Sequence, residues 1–93
     1  MILVIGRYSI DPAQHEAFVA FARELVIRER QQAGCLAFDI YEDVTTPNAF
    51  LMIEQWESEE ALDAHTSSEA FEQGETALNE FIVGEPSWDE YQF

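Results

Sequence analysis

Apolar and polar positions along this chain switch between a period of two and a period near 3.6, and the switches mark its elements. Residues 2–10, ILVIGRYSI, are β-branched and aromatic-rich and predict a strand. Asp11-Pro12 follows as a helix cap and first-turn proline. From there to Ala33 the period is helical, with Phe18, Phe21, Ala22 and Leu25 on one face. Ile27 falls on the opposite face, where this packing leaves it unexplained. Gly34 is the expected stop. Residues 35–44, CLAFDIYEDV, set Leu36, Phe38 and Ile40 against Asp39, Tyr41 and Asp43, as a half-buried strand does.

Thr45-Thr46-Pro47-Asn48 reads as a turn leading into a second strand of the pair, AFLMIEQWE at 49–57. Ser58 caps a short helix whose Glu59 and Glu60 suit the positive end of the helix dipole. Ser67 or Ser68 caps a further helix with Phe71, Leu78, Phe81 and Ile82 as its apolar stripe. Gly84-Glu85-Pro86 is expected to break it, and 87–93, SWDEYQF, to form the last strand.

This order predicts one α+β domain over residues 1–93, a ferredoxin-like βαββαβ unit with a four-stranded antiparallel sheet and helices on one face. Two strands carry apolar residues on both faces. Ile2, Val4, Tyr8 and Ile10 oppose Leu3 and Ile5 in the first; Phe50, Met52 and Trp56 oppose Leu51 and Ile53 in the third. Helices cover only one face of such a sheet, so a second copy is expected on the other. The predicted assembly is a homodimer with its sheets face to face.

Composition narrows the partners. Nineteen acidic residues face four Lys plus Arg, all arginine, for a net charge of −15. That balance repels nucleic acid and anionic membrane surfaces, both of which require cations. No apolar run approaches the roughly 20 residues of a membrane helix. The opening MILVIGRY runs straight into a strand without a basic stretch, so a cytoplasmic protein is expected. One cysteine, Cys35, permits no internal disulfide, and no spacing suggests a metal site. The acid excess fits either a cationic partner or solubility in high salt; the complete lack of lysine favours a halophilic-like, salt-adapted chain.

The segments IEQWES at 53–58, EALDAH at 60–65 and SSEAF at 67–71 resemble the antibiotic biosynthesis monooxygenase (ABM) family. AGCLAFDIYEDVTTPNAF, at 33–50, is similar to the same family's strand–turn–strand segment. The resemblance implies a dimeric α+β barrel of ferredoxin-like subunits, each with a small-molecule pocket between sheet and helices. It further implies oxygenation of a small electron-rich aromatic, such as a phenol, hydroquinone or polyketide-like ring, without flavin or metal. The haem-degrading branch carries an asparagine in the first strand, absent from ILVIGRYSI, and a ligating histidine at what here aligns with Glu75. A carboxylate is a poor proximal ligand, so no haem or other cofactor is expected.

Such chemistry needs a base near neutral pKa in an apolar pocket. His65 is the candidate catalytic base; the structural alternative is a packed histidine at a helix end. Trp56 and Met52, on one side of the third strand, are candidates for the pocket floor, or simply core. Tyr8 and Tyr41 are candidates to line the cavity through their hydroxyls. Phe71 completes the substrate-binding set together with Glu75, which flanks the apolar stripe and is a candidate for desolvation. His15, four residues after Asp11, reads as half of a local pair, and Cys35 as a small buried apolar residue. The histidine that many family members carry before the helix phenylalanine is Ala70 here, which keeps open a non-catalytic ligand-binding or interaction domain of the same fold.

The charge reading generates a first prediction. Salt screens self-repulsion, so the thermal melting temperature is expected to rise clearly between low and molar salt. An unchanged midpoint would count against salt adaptation.

Overall fold

The computed structural model describes all residues 1–93. Strand β1 (Ile2–Ile10) leads through a single 3-10 turn (Pro12–Gln14) into helix α1 (His15–Glu29), then β2 (Cys35–Glu42) and β3 (Ala49–Trp56). Helices α2 (Glu59–Thr66) and α3 (Glu69–Phe81) precede β4 (Ile82–Gln92). The strand order is β2-β3-β1-β4, with every neighbouring pair antiparallel. This is the expected ferredoxin-like βαββαβ sheet. No helix is long and apolar enough to cross a membrane.

Local chemistry explains the helix starts. The Asp11 carboxylate accepts from the Ala13 amide, with Pro12 behind it. Ser58 Oγ accepts from Ala61 N at the start of α2, and Ser68, rather than Ser67, accepts from Phe71 N at the start of α3. Helix α1 ends at Glu29, short of the expected Ala33, and a turn delivers the chain to Gly34. Gly34 has φ +81°, and a β-carbon there would stand 2.5 Å from that of Ala61. Only glycine accepts both this backbone and this close crossing of α2.

Three expectations about strands are corrected. In β2 an irregularity between Cys35 and Ala37 breaks the alternation, so Cys35 takes the inward place and Leu36 lies exposed. Strand β4 starts at Ile82, well before residue 87, so Ile82 pairs with Ile10 instead of extending the helical stripe. Gly84, at φ +74°, and Pro86 do not end the element. They sit where the register with β1 shifts between Arg7 and Ser9, and an edge strand tolerates proline's missing N–H there.

The inner face of the sheet meets the helices in one apolar cluster that includes Tyr8, Ile10, Phe18, Leu25, Phe38, Phe50, Met52 and Leu78. A smaller cluster of Ile2, Trp56 and Leu62 adjoins it beneath α2. Phe18 and Trp56 are fully buried. Burying side chains of this size contributes roughly 1.5–3 kcal/mol each and holds the helices to the sheet. The outer face has no helix over it. Leu3, Ile5, Leu51 and Ile53 are half-buried there by one another, and Tyr41 and Tyr91 are half-exposed. Ile27 is exposed on the solvent side of α1, and His15 pairs with Glu42 at the end of β2 (2.9 Å) instead of with Asp11.

Candidate functional site

Between the inner sheet face and the three helices lies a cavity of about 210 Å³, lined mainly by apolar side chains. It is smaller than the roughly 300–1,000 Å³ of pockets for drug-sized ligands and suits a compact ring. Four residues anticipated from the sequence, Met52, His65, Phe71 and Glu75, line it. Trp56 does not reach the cavity wall. It stacks behind His65 with ring centroids 4.4 Å apart, while Phe71 meets the same imidazole edge-on at 5.1 Å.

The two tyrosines lie elsewhere. Tyr8 is buried in the core, its hydroxyl without a partner, and burial together with nearby Glu54 pushes the phenol up. Tyr41 is 55% exposed and paired with Leu51 on the outer side of the sheet. Both line a second, wider cleft of about 640 Å³ near Arg7 and Gly84, apart from His65. They do share a cleft, but not with the histidine, because Tyr8 and Tyr41 pair with Phe50 and Leu51 near the start of β3 while His65 stacks on Trp56 at its end.

Two carboxylates that the sequence reading passed over complete the cavity. Glu29, only 2% exposed, continues the buried stripe Phe18, Ala22, Leu25 by one more turn of α1. Its Oε2 lies 3.2 Å from His65 Nδ1, off the hydrogen-bonding line, and neither atom has another partner. Arg28 donates to the other oxygen through Nε at 3.2 Å. Glu54 follows Phe50 and Met52 on the inward side of β3, and Trp56 Nε1 donates to its Oε1 at 3.0 Å. The period-two pattern of β3 was the signal for Glu54, and the extended α1 stripe the signal for Glu29. An acidic residue on such a stripe reads as a margin until the structure shows it enclosed.

Enclosure sets the proton chemistry. Burial holds the His65 imidazole below its usual 6.5; Glu29 opposes that shift and Arg28 adds to it. Burial thus favours the neutral ring over the imidazolium. With Nδ1 turned to Glu29, Nε2 is the nitrogen left for the cavity. Burial raises Glu54 to about 7, the Trp56 hydrogen bond opposes it, and the charges of Glu29 and Glu75 add to it. Burial also raises Glu75. Trp88 of β4 lies flat over Gly6, where a β-carbon would come within 2.2 Å of the indole, and so closes one wall. No three His, Cys, Asp or Glu side chains are grouped to hold a metal.

The ferredoxin-like fold that frames this cavity is shared with known proteins. The model of the family "Antibiotic biosynthesis monooxygenase" matches residues 1–77, and the chain belongs to that family. It is 30% identical over 86 residues to "Putative monooxygenase YcnE" of Bacillus subtilis strain 168, covering 92% of this chain and 90% of that protein. It is 34% identical over 70 residues to the uncharacterized protein sll1783 of Synechocystis, covering 75% of this chain. The matched stretch spans about half (48%) of that relative's length. A crystal structure of an antibiotic biosynthesis monooxygenase superposes with TM-score 0.89 at 30% identity, covering 100% of this chain and 98% of that one.

Glu54 generates a pH prediction. Near pH 4 and below, its carboxyl is protonated in folded and unfolded chains alike and costs nothing. As pH rises from the usual 4.5 towards 7, the unfolded chain releases the proton and the folded chain keeps it, so stability falls. At about 1.4 kcal/mol per unit, the full loss is ~3 kcal/mol above pH 7. Glu54→Gln lacks this slope, so its stability relative to wild type should improve by about that amount between pH 4 and 8 in urea denaturation. A constant difference across that range would refute the assignment.

Proposed function

We propose that this chain is a cofactor-independent monooxygenase that oxidises a small electron-rich aromatic, a phenol, hydroquinone or polyketide-like ring, with O2. The observation that carries the reading is the enclosed His65–Glu29 pair at the wall of an apolar cavity. A ring hydroxyl passes its proton to His65 Nε2, and Glu29 stabilises the imidazolium that forms. The resulting phenolate supplies the electrons that reduce O2. For a hydroquinone, one oxygen atom enters the ring and the other leaves as water, giving a hydroxyquinone, so no outside reductant is needed. Phe71 and Met52 would hold the ring, and Trp56 would fix the imidazole plane. The family and the name of the Bacillus relative support the oxygenase reading.

One feature favours a second reading, a ligand-binding domain of the same fold without the reaction. The polar groups facing the cavity are mostly acceptors, so few donors are present to hold a phenolate. Oxygen uptake separates the two. With a panel of hydroquinones and anthrone-like rings, wild type should consume O2, and His65→Ala should lower kcat by about 10²-fold or more. Equal rates would remove His65 as the base; no uptake with any ring would leave the binding domain.

We further propose a homodimer that covers the outer sheet face at Leu3, Ile5, Leu51 and Ile53. Sedimentation should give twice the monomer mass at micromolar concentration, and Ile53→Glu should shift it to monomer. A folded wild-type monomer at that concentration would overturn the assembly.

A further inference from the structure

The cavity holds more acid than a base-and-pocket scheme requires. Glu29, Glu54 and Glu75 all line it, and the first two are almost wholly enclosed. No arginine lines it; Arg28 reaches Glu29 from a half-exposed position, and the chain has no lysine. A ligand bearing a carboxylate or phosphate would therefore give up its hydration for a wall of like charge whose one neighbouring cation, Arg28, stands behind Gly74 and is already paired with Glu29.

Glu54 itself is under-supplied with donors. The Trp56 indole donates to one oxygen, and no other protein group donates to the carboxyl. Buried acceptors of this kind gain most from a partner that brings its own hydrogen. The same indole that donates to Glu54 along its edge stacks on His65 with its face, so two acceptors, the Glu54 carboxyl and His65 Nε2, are set around one ring.

We propose that Glu54 is the specificity-determining residue of this cavity: it accepts a hydrogen bond from a neutral, hydroxyl-bearing aromatic and, with Glu75 and Glu29, excludes anionic ones. The inference rests on the cavity being the ligand site, which both readings above share, and not on oxygen chemistry. No electron or proton needs to leave the ligand for it to hold.

The test is anaerobic isothermal titration near pH 8 with two one-ring probes, hydroquinone and 4-hydroxybenzoate. Wild type should bind hydroquinone at least about tenfold more tightly than 4-hydroxybenzoate. Glu54→Gln keeps the acceptor for the indole but turns an amide donor towards the ligand, and should shrink that ratio to about threefold or less. Equal binding of the two probes by wild type, a folded Glu54→Gln that keeps the full ratio, or no binding of either probe would each overturn the proposal. Should circular dichroism show Glu54→Gln unfolded, Glu75→Gln at the half-exposed position decides. A ratio reduced at least about threefold supports the exclusion of anions, and an unchanged ratio ends it. Selectivity without oxygen uptake would leave this inference standing while the oxygenase reading falls.

Discussion

The indole of Trp56 is the member on which the rest of the site depends. It is fully buried where β3 ends, anchored against Ile2 and Leu62, and both its edge and its face are occupied. The edge donates to Glu54 and the face stacks on His65, which in turn meets Glu29. An enclosed carboxyl with a single donor, and an imidazole without water around it, are both costly to hold in place. Packing against a large rigid ring makes their positions definite, since neither can turn away without opening a void beside the indole.

The cavity's electrostatics follow from enclosure more than from the count of acids. Most of the acidic residues lie exposed, where solvent and salt screen them. Glu29 and Glu54 are different because the sheet and helices remove their water, and each then perturbs its neighbours. A chain with a net charge of −15 thus places its chemically consequential charge in two buried side chains.

Much of the fold was legible from pattern alone, since caps and periodicities act locally. Asp11-Pro12, Ser58 and the alternation in β3 announce their elements within a few residues. Errors arose where pairing overrode pattern. Leu36 reads as inward until the irregularity in β2 turns it out, and Gly84-Glu85-Pro86 reads as a break until the β1 ladder carries the strand through it. Tyr8 and Tyr41 do line one cleft, but pairing places it at the start of β3, away from the end where Trp56 and His65 stack.

The site divides along the same line. The sequence by itself determined the order of elements, the family resemblance carried by residues 33–71, and His65 as the side chain whose intrinsic pKa suits proton transfer. Only the tertiary structure decided what surrounds that histidine. Glu29 comes from α1, Glu54 and Trp56 from β3, and His65 from α2, and they meet because the helices pack on one face of the sheet. Periodicity can assign a residue to a face, but burial and contact depend on what another segment brings against that face.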